Sequence, residues 1–205
     1  LLLKKMVLEL IKNYKRWLYW VPLLIFVIDC FLMQTGFIAP LDLLIYEGLH
    51  SFESLEITKI VIVITYLGSF LGIIGVIVLI FFFNKKIAFD CLILSLLQQL
   101  INRGLKFIFK RPRPDVIHLV VETNYSFPSG HAMAVSCLYG MVIYYLYHSN
   151  YSFRHVLIVI SVLIIVAVDL SRIYLGVHYF SDVLGGTMLS MSLVLYFCNK
   201  PFFAA

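Results

Sequence analysis

Charge is scarce in this sequence. Only 13% of its 205 residues are Asp, Glu, Lys or Arg, against about 25% in soluble globular domains. So little charge cannot cover a water-facing surface, and the mean hydropathy of +0.98 points to a bilayer as the medium. Pro, Gly and Ser are not gathered into a linker, and no charge-rich tail marks a second unit, so residues 1–205 read as a single membrane-embedded domain. Paired cysteines are missing too. Cys30, Cys91, Cys137 and Cys198 are scattered through apolar runs without a C-x-x-C pair, which reads as small buried hydrophobes rather than a disulfide framework or a zinc site. No acidic cluster has metal-ligand spacing. The net charge of +5 does not imply nucleic acid as a partner, because Lys and Arg sit at the ends of apolar runs, where membrane topology places them.

What the chain has in abundance is long apolar runs. One crossing takes roughly 20 apolar residues, and six segments fit: 17–35, 57–83, 88–108, 130–147, 156–175 and 179–199. The expected fold is therefore all-α, an integral membrane bundle of about six transmembrane helices. Lys4, Lys5, Lys12, Lys15 and Arg16 make residues 1–16 a basic lead-in, and Lys85, Lys86 and Lys200 follow later spans. Residues 36–56 carry Asp42, Glu47, Glu53 and Glu56 with no Lys or Arg. The positive-inside rule then puts both termini in the cytoplasm and this acidic segment outside, with a short surface helix over 42–52. Gly68, Gly72 and Gly75 offer the second span a small-residue face for close helix packing.

Two stretches break the pattern. The second half of the third span holds Gln98, Gln99, Asn102, Arg103 and Lys106, although a central Arg or Lys costs ~3 kcal/mol to insert; such residues face a bundle interior or a wet cavity. The loop Lys110-Arg111-Pro112-Arg113 is basic although the alternation puts it outside, so something local must hold cations there.

On this layout the ends of spans three and five meet the starts of spans four and six on the outer face. Three polar stretches converge there: Lys106 with Arg111 and Arg113; Pro128-Ser129-Gly130-His131; and Ser171-Arg172 with His178 and Asp182. Ser129-Gly130 opens a helix whose free amides and positive dipole end suit an oxyanion. Lys106, Arg113 and Arg172 surround the same point with cations, which indicates a phosphate. Asp182, four residues beyond His178, lies on the same helical face and can hold one imidazole nitrogen, leaving the other as a nucleophile. His178 can thus attack phosphorus and carry a phosphohistidine, and His131 can protonate the leaving group and then deprotonate the attacking water. The scheme needs no metal and no cofactor.

The order Lys106-x6-Arg113-Pro114, Pro128-Ser129-Gly130-His131, then Ser171-Arg172-x5-His178-x3-Asp182 resembles the three-part signature of the type 2 phosphatidic acid phosphatase superfamily. The motif region spans 106–182. The resemblance implies that Lys106, Arg113 and Arg172 bind phosphate oxygens with help from Ser129 and the Gly130 amide. It makes His178 the nucleophile, Asp182 its orienting partner and His131 the general acid, with Ser171 supporting the site. It further implies a metal-independent phosphatase in the inner (plasma) membrane, acting at the outer or periplasmic face on a lipid phosphate or pyrophosphate. Phosphatidylglycerophosphate, phosphatidic acid, undecaprenyl pyrophosphate and the 1-phosphate of lipid A are all in range. A lipid phosphotransferase using the same site is the alternative, and a non-catalytic channel or lipid transporter the remote one. Asp169 reads as support for Arg172, Arg111 as an interfacial anchor for headgroups, and Asp90 as a partner of Lys86. His118 and Tyr125 read as solvated loop residues. Asp29 has no partner legible in the sequence.

Overall fold

The computed structural model describes residues 18–199; the basic lead-in expected at 1–16 and Lys200 lie outside the described residues. All its regular elements are helices: α1 Trp20–Gln34, α2 Ala39–His50, α3 Leu55–Thr65, α4 Phe70–Phe83, α5 Lys85–Phe109, α6 Gly130–His148, α7 Arg154–Tyr174 and α8 Phe180–Cys198, with a 3-10 turn at Tyr66–Gly68. Most helix starts are written locally. Ser54, Ser69, Asn84 and Ser129 each cap a helix by accepting from a backbone amide three residues on, which satisfies one of the four donors a helix start leaves open.

α5, α7 and α8 are each long and apolar enough to cross a membrane, and two bent pairs, α1 with α2 and α3 with α4, qualify when each is counted as one span. The chain is thus an integral, multi-pass membrane protein with three to five such segments by length and composition. Of the six apolar runs expected, the fourth, α6, does not qualify, and the first two are bent. α1 is followed by a 97° turn into α2, so a helix is present close to the expected 42–52 and α1 by itself is short. The second span is broken, with α3 and α4 meeting at 58° across the 3-10 turn.

Glycine and serine make that break. Ser69 Oγ accepts from the Gly72 amide and donates to the Tyr66 carbonyl, and a Cβ at Gly72 would fall 2.1 Å from that same carbonyl oxygen. Gly72 therefore serves the kink rather than a helix-packing face. Gly68 does make a close approach, since a Cβ there would lie 2.8 Å from Val168 and 3.1 Å from the His131 ring. Gly75 faces open space.

α6 is the central helix, packed against α5, α7 and α8, while α1 lies on α8 and α3 on α7. Val135, Cys137, Leu138 and Met141 of α6 are fully buried with Cys91 and Leu94 of α5 and Val168 of α7. The cysteines are free. Large apolar side chains coat the outside instead, among them Phe31, Leu71, Phe82 and Leu163, a surface that water would not tolerate and hydrocarbon does. Carboxylates lie within the bundle too. Asp90 accepts a hydrogen bond from Tyr145. Asp29 of α1 is buried against α8, and neither of its oxygens has a hydrogen-bond partner among the described residues.

Candidate active site

The C-terminal ends of α5 and α7 and the N-terminal ends of α6 and α8 meet at one end of the bundle, with the irregular segment 110–129 folded over them. Gln98, Asn102 and Lys106 recur every four residues along α5 and are all buried, so the costly polar half of this helix does face inward. The Asn102 amide donates to the Pro128 carbonyl at 3.0 Å, which docks the start of α6 on α5. Lys106 Nζ donates to the carbonyls of Tyr125 and Ser126.

His178 sits in the turn between α7 and α8. Its Nδ1 lies 3.3 Å from Asp182 Oδ2, and that carboxylate oxygen also accepts from Ser126 Oγ and from the Tyr179 amide. The other ring nitrogen, Nε2, lies 3.4 Å from Arg113 Nη1. A guanidinium only donates, so Nε2 carries the lone pair and Nδ1 the proton. Burial, reinforced by Arg172 and Arg113, outweighs the pull of Asp182 and lowers the His178 pKa to about 3. The imidazole is therefore neutral, with its lone pair available, throughout the physiological pH range.

One cavity of about 210 Å³ is lined by His178, His131, Lys106, Arg113, Glu122 and Gly130 at its polar end. The two histidines, 47 positions apart in the chain, thus face one space. Arg113 also donates to the Val177 carbonyl at 2.6 Å and to the backbone and side chain of Asn124; burial depresses its pKa against the opposing pull of Glu122. Arg172 is buried behind this wall and donates to Thr65 Oγ1 and to Glu122 Oε1.

Other expected residues are placed differently. Ser129 is wholly buried, and its hydroxyl accepts from the Ala132 amide as a helix cap instead of lining the cavity. Ser171 Oγ donates back to the Val168 carbonyl within its own helix. Asp169 accepts from Thr187 Oγ1 and does not support Arg172, because its carboxylate turns toward α8. Arg111 is no headgroup anchor. It lies over the Tyr179 ring, pairs with Asp182 Oδ1 at 2.6 Å and Asp42 Oδ2 at 2.9 Å, and donates to Ser181 Oγ. Burial alone would lower its pKa, and the two carboxylates raise it instead. Arg111 and Arg113 therefore neutralise internal anions, which is the local reason for a basic loop here. Asp42, Glu122, Ser126 and Thr65 were not legible as site residues; of these only Asp42 left a trace, as an acid within the surface helix expected over 42–52.

The turn that carries His178 depends on Gly176, whose φ is +72° and where a Cβ would fall 2.2 Å from the Ile117 carbonyl oxygen. Gly176→Ala is expected to destabilise the protein by about 1–3 kcal/mol and to shift His178 off Asp182. Thermal unfolding in detergent, with turnover measured in parallel, checks it; a variant with parental stability and rate would show that the turn tolerates the methyl group.

Donor-only cations and an acceptor nitrogen facing one cavity, at the end of a helical membrane bundle, are the equipment of a membrane hydrolase for an oxyanion ester. The chain belongs to the PAP2 superfamily, whose sequence profile matches residues 87–203. Phosphatidylglycerophosphatase B of Bacillus subtilis (strain 168) is 40% identical over 149 residues, covering 68% of this chain and 71% of the relative. Among solved structures, the transmembrane PAP2-type phosphatidylglycerolphosphate phosphatase from B. subtilis is similar with a TM-score of 0.80 and 31% identity, over 91% of this chain and 96% of that one. LpxE of Aquifex aeolicus shares the fold, with a TM-score of 0.65 and 21% identity over 75% of this chain and 92% of that one. Membership in this hydrolase family makes the chain an enzyme.

Proposed function

We propose that this protein removes the terminal phosphate from a membrane lipid through a phosphohistidine intermediate, and that phosphatidylglycerophosphate is its preferred substrate. The observation that carries the lipid reading is the lining of the cavity. Its polar end holds both histidines, Lys106 and Arg113, and the same space continues between α4 and α5 along Phe70, Ile73, Ile74, Leu92 and Leu96. A phosphate seated at the cationic end would leave an acyl-bearing tail running along the apolar wall toward the bilayer. The headgroup assignment leans on the 40% identity to phosphatidylglycerophosphatase B.

In the proposed reaction the Nε2 lone pair of His178 attacks phosphorus, the bond to the lipid oxygen breaks, and His131 gives that oxygen a proton. Water then attacks the phosphohistidine, His131 takes a proton from it, and the P–N bond breaks to release inorganic phosphate. Asp182 holds the Nδ1 proton throughout and offsets the positive charge that develops on the ring. Lys106, Arg113 and Arg172, with the Gly130 amide at the start of α6, neutralise the phosphoryl oxygens. These side chains supply attack, charge neutralisation and proton transfer themselves, so the mechanism calls for no metal.

The proposed topology has six crossings, α6 being the sixth, in one domain. α6 is 19 residues long and enclosed by other helices, so it can span without the apolar surface that lipid-facing helices need. Both termini would be cytoplasmic and the site would open at the outer face of the plasma membrane, as the charge pattern indicates.

Phosphate release from phosphatidylglycerophosphate, phosphatidic acid, undecaprenyl pyrophosphate and lipid A 1-phosphate, measured with the purified protein in detergent, tests the assignment. The highest kcat/KM is expected for phosphatidylglycerophosphate. A higher value for another lipid would reassign the headgroup, and no release from any of them would remove the phosphatase reading.

A further inference from the structure

Two of the arginines expected to hold phosphate already hold an anion. Arg172 Nη2 donates to Glu122 Oε1, and Arg113 Nη2 reaches Glu122 Oε2 at 3.5 Å. One carboxylate thus presents one oxygen to each of two guanidiniums, as a phosphate would with two of its non-bridging oxygens. Arg172 is 2% exposed, its other hydrogen bond goes to the neutral hydroxyl of Thr65, and its Nε has no partner. Glu122 is the only carboxylate it pairs with among the described residues. A buried guanidinium without an anion is costly, so the empty site needs one. Glu122 comes from the irregular segment 110–129, its side chain is 24% exposed, and it lines the cavity beside His178 and His131.

Resting on the phosphatase reading above, we propose that Glu122 is an exchange ligand: its carboxylate occupies the phosphate position in the empty enzyme, yields it to the substrate's phosphoryl group, and returns to expel inorganic phosphate. When a phosphate arrives, two anions compete for the same two guanidiniums. The carboxylate then lowers the affinity for every phosphate species, including the product. In exchange it keeps Arg113 and Arg172 paired and aimed between turnovers. A residue that merely braces the arginines would act in the opposite direction, because its loss would loosen them and weaken phosphate binding.

The test uses the purified full chain in detergent, with inorganic phosphate and orthovanadate as probes, and reads both inhibition of lipid-phosphate hydrolysis and the rise in thermal midpoint on binding. Glu122→Gln keeps the size of the side chain and removes its charge. Its inhibition constants for both probes are expected to fall about tenfold, the scale of one partly screened charge near the bound anion, with a larger thermal rise at equal phosphate. Its kcat is expected to fall as phosphate release slows. Should Glu122→Gln not fold, Glu122→Asp is read in the same way; its shorter carboxylate cannot span both guanidiniums, and an intermediate gain in affinity is expected. Unchanged or weaker probe binding in the folded variant overturns the exchange role while leaving the phosphatase reading intact. A parent protein that neither hydrolyses lipid phosphates nor binds either probe overturns both.

Discussion

His178→Ala is expected to lower kcat by about 10⁴-fold or more while leaving inorganic phosphate affinity within about threefold of the parent, since the charged groups that bind the anion remain. The availability of one ring nitrogen decides this. Asp182 fixes the proton on Nδ1, and the donor-only Arg113 marks Nε2 as an acceptor, so His178 presents its Nε2 lone pair with the ring already held by a carboxylate. Rapid quenching of the parent with phosphorus-labelled lipid should trap a phosphoryl group on the protein that acid releases and alkali does not, and the variant should trap none. His131→Asn separates the two proton transfers. With a substrate whose leaving group needs no proton, it should still form the phosphoenzyme and then hydrolyse it slowly. Equal turnover in parent and His178→Ala would eliminate the mechanism.

Arg111→Met is expected to be the most destabilising single change near the site, by about 3–5 kcal/mol, a drop in thermal midpoint on the order of 10 °C for a domain of this size. Arg111 lies between two buried carboxylates, Asp42 and Asp182. Removing the guanidinium leaves two anions facing each other without a counter-charge, and Asp182 is the one that orients the nucleophile. Adding Asp42→Asn removes half of that conflict, so the double variant should regain part of the lost stability, a non-additive result that only contacting residues give. Circular dichroism on heating the parent, the single variant and the double variant in the same detergent measures it. A single variant that melts with the parent would mean that the pair contributes nothing to the fold.

Residues whose chemistry depends on spacing within one helix or turn were legible in the sequence. His178 and Asp182 are four apart, Ser129 precedes an apolar helix, and Gln98, Asn102 and Lys106 repeat every four residues. Residues whose role comes from tertiary proximity were not. Asp42 meets Arg111 from 69 positions away and Ser181 from 139. Glu122 lies in a stretch without periodicity, where one more acid in a loop gives no signal. Asp169 failed for a different reason: three residues before Arg172 is the right spacing for a neighbour on a helix, but spacing does not choose between two polar partners, and Thr187 takes the carboxylate. The break in the second span left a mark in Tyr-Leu-Gly-Ser, a serine cap after a glycine, that the unbroken hydrophobic run around it outweighed.

The segment 110–129 has no helix or strand, and yet it is tied down at many points: Lys106 to the carbonyls of Tyr125 and Ser126, Arg113 to Asn124, the Ser126 amide to the Arg111 carbonyl, and the Leu119 amide to the Leu175 carbonyl. Immobilising irregular chain costs roughly 1–2 kcal/mol per residue, and for this stretch the cost is met during folding, before any lipid arrives. Two of the cations that would greet a phosphate are the same ones that fasten the strap. An inactive Lys106 or Arg113 variant therefore has two explanations, a weakened grip on the ligand and a strap come loose, and melting behaviour is what tells them apart.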